Sequence, residues 1–168
     1  MILIYPDHRP LQNILWRENS NSSIQCLQLQ TVTYGLKSSP FLATRCLVDL
    51  AHAEESKFPL ASRALLNNTY VDDMLSGGDT IEEVNQLKAE LINVLKLRSF
   101  ELHKWYSNHP TILKDIPLNI QHLDEIDINK NNTIVKTLGL AYNTRLDTFT
   151  ISSPIRNIKE CITKRQVA

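Results

Sequence analysis

The sequence predicts an α+β chain in which a mainly antiparallel sheet packs on helices. Three observations carry that prediction. Two stretches repeat their apolar residues at helical spacing, several short apolar runs are bounded by turn chemistry, and strands and helices do not alternate in the regular order of a parallel sheet. With 168 residues, 42% of them apolar, the chain can bury one core and is short for two, so one compact unit is the starting expectation.

The opening Ile2-Leu3-Ile4 is strand-like, and Pro6-Asp7-His8-Arg9-Pro10 is turn chemistry that ends it. Gln12 to Trp16 and Ile24 to Val32 read as strands joined by the polar loop Arg17 to Ser23. Ser39 is a favoured N-cap and Pro40 a favoured first helical residue. Phe41, Leu42, Cys46, Leu47 and Leu50 then recur at helical spacing, which places a helix from about Pro40 to His52. Leu60 to Leu66 is compatible with a short helix or an extended approach, and Asn67-Asn68 with a polar break.

Thr69-Tyr70-Val71 and Met74-Leu75-Ser76 form two short strand-like arms around Asp72-Asp73, with Gly77-Gly78 closing the unit. Thr80-Ile81-Glu82-Glu83 has the form of a capping box, in which hydroxyl and carboxylate each satisfy a free backbone amide at a helix start. Ile81, Val84, Leu87, Leu91, Val94 and Leu95 share one face of a helix ending near Lys96. Residues 1–110 thus form the main unit, 111–133 a polar insertion, and 134–168 a hairpin and the start of a final helix. That hairpin is expected from Val135–Tyr142 and Thr148–Ile151, and Ser153-Pro154 starts the helix.

Composition excludes several function classes. Eighteen basic and eighteen acidic residues leave no net field to draw the whole chain onto a polyanion, so any nucleic-acid contact must be local. Cys26, Cys46 and Cys161 are odd in number and far apart, which fits neither a disulfide framework nor a zinc site. No leader-like segment opens the chain and no apolar run has membrane-spanning length, which predicts a soluble, intracellular protein, placed in the cytoplasm, with no membrane partner. The Asn-x-Ser/Thr matches at Asn21, Asn67 and Asn131 are then polar turns. The five histidines lack the spacing of a zinc hydrolase, and no nucleophile elbow is present.

The adjacent aspartates between apolar arms carry the chemistry. Carboxylates resist burial unless paired, hydrogen-bonded or metal-bound, and a hairpin tip lifts them to the rim of a sheet. There they suit hard divalent cations, which prefer oxygen ligands; in two-metal phosphoryl transfer, ions about 3.5–4 Å apart stabilise the attacking and leaving oxygens. By itself the dipeptide is a common turn element.

Its setting is more specific. Tyr70-Val71-Asp72-Asp73 followed by Met74-Leu75 resembles the Tyr-x-Asp-Asp box of reverse transcriptases. Upstream, Thr33-Tyr34-Gly35-Leu36-Lys37-Ser38-Ser39-Pro40-Phe41 resembles the segment that contacts template and nucleotide. Downstream, Phe100-Glu101-Leu102-His103-Lys104-Trp105 resembles the stretch carrying a phosphate-side lysine. Lys136 to Tyr142 resembles the primer-grip hairpin. Arg9-Pro10-Leu11-Gln12, the Pro40 to Arg45 helix and Lys104-Trp105-Tyr106-Ser107-Asn108 are together similar to the Pao/Bel type of long-terminal-repeat retrotransposon.

The resemblance implies a polymerase palm, incomplete on its fingers side. It also implies magnesium or manganese at Asp72 and Asp73, substrate or template contacts at Gly35, Lys37, Ser39 and Lys104, and primer contacts at Leu138, Gly139 and Leu140. Partners would be an RNA or DNA template-primer, deoxynucleotides and the rest of a retrotransposon polyprotein.

The family's first catalytic aspartate is expected on a strand preceding the segment that here begins at Met1, and no aspartate of this sequence occupies that place. Asp7 falls too late, in the following turn. A fingers segment is likewise missing and both ends are expected to be cut. Two functional classes follow: a segment of an RNA-directed DNA polymerase, or a non-catalytic remnant of a decayed element that binds nucleic acid weakly. In a palm, the Asp hairpin should lie beside Ile2 to Ile4. Bland roles compete at several positions. Gly35 can serve a turn, Lys37 and Lys104 can be plain surface lysines, and Trp105 and Tyr106 can close a core edge instead of stacking on bases.

Overall fold

The computed structural model describes residues 2–121 and 134–151. The α+β class holds: helices and small antiparallel sheets make up the chain. Its contacts divide into two compact units, Met1–Trp105 and Tyr106–Ala168, where a single unit was expected. A single sheet was also expected. Instead the described residues form three small sheets, because the strands are two to four residues long and each pairs with its nearest neighbour in sequence.

In the first unit, β1 (Asn13–Trp16) and β2 (Gln25–Gln28) form a hairpin in which Ile14 opposes Leu27 and Leu15 opposes Cys26. Every residue of both strands is exposed. Beyond it, Leu3 bridges Thr31, the Ile4 amide donates to the Gln30 carbonyl and the Val32 amide to the Ile2 carbonyl. Ile2 to Ile4 therefore extends this hairpin, and the hairpin of Thr69–Tyr70 with Asp73–Met74, expected beside it in a palm, forms a separate two-stranded sheet. Pro6–Gln12, read as a turn leading into a strand, is a 3-10 helix, and Arg9 Nε donates to the Ile4 carbonyl at 3.1 Å.

Three helices build the core. They are α1 (Ser39–Glu54), α2 (Pro59–Asn67) and α3 (Ile81–Lys96). Leu50 and Ala51 of α1, Ala61, Ala64 and Leu65 of α2, and Leu87, Leu91, Val94 and Leu95 of α3 form one buried cluster. The apolar stripe of α3 predicts its buried face well. That of α1 does not: Phe41 is 68% exposed, because α2 and α3 meet only the C-terminal half of α1.

Helix starts differ from the sequence expectation in two places. Ser39 is the first helical residue, not the cap, and its hydroxyl donates to the Thr33 carbonyl. At α3, Thr80 Oγ1 accepts from the Glu83 amide at 3.2 Å as a capping box requires. The Glu83 carboxylate, however, reaches one residue further back, to the Asp79 amide at 3.1 Å. Helix α2 has no cap of its own; Glu90 on α3 supplies one, its Oε2 accepting from the amides of Leu60 at 2.9 Å and Ala61 at 3.1 Å.

In the second unit, β5 (Ile134–Thr137), β6 (Leu140–Asn143) and β7 (Thr148–Thr150) form an antiparallel meander. The stretch expected as one strand up to Tyr142 folds back on itself at Leu138 and Gly139. Their φ values of 50° and 77° are the pair of positive angles that a type I′ turn requires. Ile112, Ile116, Val135, Ala141 and Tyr142 are buried here. Short 3-10 turns at Pro110–Leu113 and Leu118–Ile120 occupy part of the expected irregular insertion. Residues 122–133 of that insertion and the final helix lie outside the described residues, as do Cys161 and Asn131.

Candidate functional site

The chain leaves α2 at Asn68 and enters a minimal hairpin, β3 (Thr69–Tyr70) and β4 (Asp73–Met74). Thr69 opposes Met74 and Tyr70 opposes Asp73, so the turn is Val71-Asp72, one residue earlier than the paired aspartates suggest. The two carboxylates therefore differ. Asp72 sits in the turn, whereas Asp73 lies on a strand and shares a face with Tyr70. Thr69 and Met74 take the opposite face, where Met74 packs against the helical core. Both aspartates are exposed, as a hairpin tip allows.

Val71 has φ +56°. For a β-branched residue this is a costly conformation, one that glycine normally supplies at the first position of a tight hairpin turn. Strain of this kind costs about 1–3 kcal/mol and persists only where surrounding structure enforces it.

Part of that enforcement comes from Asn68. Its amide donates to the Ala64 carbonyl at 2.8 Å, its carbonyl accepts from the Leu75 amide at 3.0 Å, and its Nδ2 donates to the Leu75 carbonyl at 3.1 Å. The sequence marks Asn68 only as a polar break. A side-chain amide placed between a helix and a short strand is the signal that could have singled it out.

A cavity of about 140 Å³ lies at the foot of the hairpin, lined by Leu60, Arg63, Ala64, Asn68, Ser76, Gly77, Glu83 and Leu87. Small-molecule sites typically span roughly 300–1,000 Å³, so this space is no nucleotide pocket.

The other predicted site residues are distributed as follows. Gly35 has φ +87°, with open space where a side chain would stand. Lys37 is exposed, and Ser39 is buried with its hydroxyl committed to Thr33. Lys104 is exposed and has φ +59°. Trp105 is half-buried, its indole N–H donating to the Leu102 carbonyl at 3.1 Å, and Tyr106 lies 5.9 Å from the Tyr142 ring. Both aromatics are thus packing residues. Leu138 and Gly139 form the β5–β6 turn of the second unit, and Leu140 is the first residue of β6.

Asp72 and Asp73 offer the oxygen donors that magnesium or manganese prefers. Among the described residues, however, no three His, Cys, Asp or Glu side chains converge. The pair fits such an ion in donor type and falls short in number. Among the described residues no helix is long and apolar enough to cross a membrane.

In the second unit, the surroundings of Tyr142 disfavour its ionisation. Burial, then the hydrogen bond and negative charge of Asp147, with a smaller effect from Tyr106, push its hydroxyl up to about 12. The Tyr142 hydroxyl donates to Asp147 Oδ1 at 2.5 Å, and its ring stacks on Phe149 at 4.6 Å. No protein-family model, no curated protein and no solved structure matches the chain.

Proposed function

We propose that the chain is a palm segment of a reverse transcriptase of the Pao/Bel retrotransposon type, whose parent reaction adds deoxynucleotides to a primer hydroxyl under the direction of a template. The observation that carries this reading is Val71 at φ +56° between Tyr70 and Asp72. Glycine is the unstrained choice for a tip that only turns the chain. A strained tip that presents two solvated carboxylates is instead the kind of feature that persists at functional sites.

In this reading Asp72, at the turn, is the direct metal ligand and Asp73 its strand-borne companion. Magnesium or manganese, when bound, would stabilise the attacking and leaving oxygens of phosphoryl transfer. Two carboxylates are too few ligands for that ion, so no catalytic step is assigned to this chain alone. Lys37 and Lys104 are exposed and would meet phosphate, and Gly35 shapes the turn that precedes α1. Ser39 would act through its backbone, since its hydroxyl is held by Thr33. Leu138, Gly139 and Leu140 form the primer-grip turn, and the rest of the polyprotein, template-primer and deoxynucleotides are the partners.

A second reading, a non-catalytic remnant with weak nucleic-acid binding, is favoured by one observation: Ile2 to Ile4 pairs with Gln30 to Val32, and β3–β4 forms a sheet of its own. Primer extension on an RNA template with magnesium or manganese, comparing the full chain with Asp72→Asn, separates the two. Extension by the wild type and none by the variant supports the polymerase. Absence of extension by both rejects activity in this chain.

A further inference from the structure

The Asp hairpin contains only two opposed residue pairs, which would be marginal in water if nothing else held it. A third pair, Asn68 with Leu75, should close its open end by exchanging two backbone hydrogen bonds. Only one of these is made by the backbone, the Leu75 amide donating to the Asn68 carbonyl at 3.0 Å. The Asn68 amide is already spent on the Ala64 carbonyl, where it ends α2. With no loop between helix and strand, one N–H cannot serve both.

The missing donor is the side chain. Asn68 Nδ2 donates to the Leu75 carbonyl at 3.1 Å and reaches Ser76 Oγ at 3.5 Å. We infer that Asn68 is a positioning residue for the aspartate pair: its carboxamide stands in for a backbone N–H, closing the hairpin while its own amide caps the helix that carries it. A short side chain with a neutral amide donor is required. Aspartate has the same shape and no donor, and would set a carboxylate against the Leu75 carbonyl. The closure also supplies restraint at the base for the strained turn at Val71, so the fixed orientation of Asp72 and Asp73 depends on it. The role in orienting metal-site carboxylates rests on the polymerase reading; the closure itself does not.

Amide hydrogen exchange and manganese titration of the full-length chain test this with Asn68→Ala and Asn68→Asp. Loss of one such hydrogen bond should accelerate exchange at the Leu75 amide about fivefold in both variants, with Leu91 and Val94 unchanged. Paramagnetic broadening of Asp72 and Asp73 by manganese should need several-fold more metal in Asn68→Ala. Unchanged Leu75 exchange, wild-type behaviour of Asn68→Asp, or equal acceleration at Leu91 would each overturn the inference, the last by making Asn68 a general stabiliser. Unchanged manganese affinity in Asn68→Ala would overturn the orienting role. If the wild type shows no broadening, the metal reading of the aspartates fails, while Leu75 exchange still decides the closure.

Discussion

Tyr70 and Asp73 oppose one another across the smallest hairpin among the described residues, with Val71 and Asp72 alone between them. In that turn Val71 takes φ +56°. Val71→Gly should therefore tighten the hairpin by about 1 kcal/mol, the relief of strain outweighing the extra freedom of glycine in the unfolded chain. Slower exchange at the Leu75 amide is the expected result. Faster exchange would show that Val71 is at ease in this turn.

Thr69 lies on the inward face of the same hairpin, its hydroxyl buried with no hydrogen-bond partner among the described residues. Thr69→Val keeps the shape and removes the unsatisfied group. It should be neutral or stabilising by about 1 kcal/mol in denaturant unfolding. A clear loss of stability would mean that the hydroxyl is bonded in solution.

Glu90 caps α2 from α3, so its effect should exceed that of an ordinary surface charge. Glu90→Ala leaves the Leu60 and Ala61 amides without an acceptor and should cost about 1–2 kcal/mol. Glu90→Gln, which keeps an oxygen acceptor, should cost less. Urea unfolding with an unchanged denaturant slope gives both values.

Two apolar residues of similar standing in the sequence should behave differently. Leu91, 4% exposed in the helical core, should lose about 3 kcal/mol on replacement by alanine. Phe41, 68% exposed at the start of α1, should change stability by about 0.5 kcal/mol or less. Equal costs would mean that something covers the first half of α1 in solution.

Tyr142 should resist ionisation. Its hydroxyl is raised from 10.0 to about 12 by burial and then by Asp147. For a group whose folded pKa lies above its unfolded value, the stabilisation is complete below the unfolded pKa. It is lost as pH rises from about 10 towards about 12. Absorbance titration of phenolate should show a late-ionising component in the wild type that Tyr142→Phe removes. Asp147→Asn should bring the midpoint down.

The sequence by itself determined the α+β class, all of α3 and the hairpin around Tyr70-Val71-Asp72-Asp73, because these follow from local chemistry. A capping threonine, a 3.6-residue apolar period and two apolar arms around an acidic pair act over a few residues. Tertiary structure decided what depends on distant partners. It placed the turn one residue early, so that Asp72 and Asp73 occupy unlike positions. It committed the Ser39 hydroxyl to Thr33, left Phe41 uncovered, and recruited Glu90 to cap a helix whose own start carries no cap. It also joined Ile2–Ile4 to Gln30–Val32 instead of to the aspartate hairpin. Each outcome is a competition among hydrogen-bond partners or packing surfaces brought together only by folding. Periodicity and propensity carry no information about who wins it. Asn68 stands between the two kinds of knowledge. Its polarity is visible in the chain, but its double duty follows only from a helix running directly into a strand.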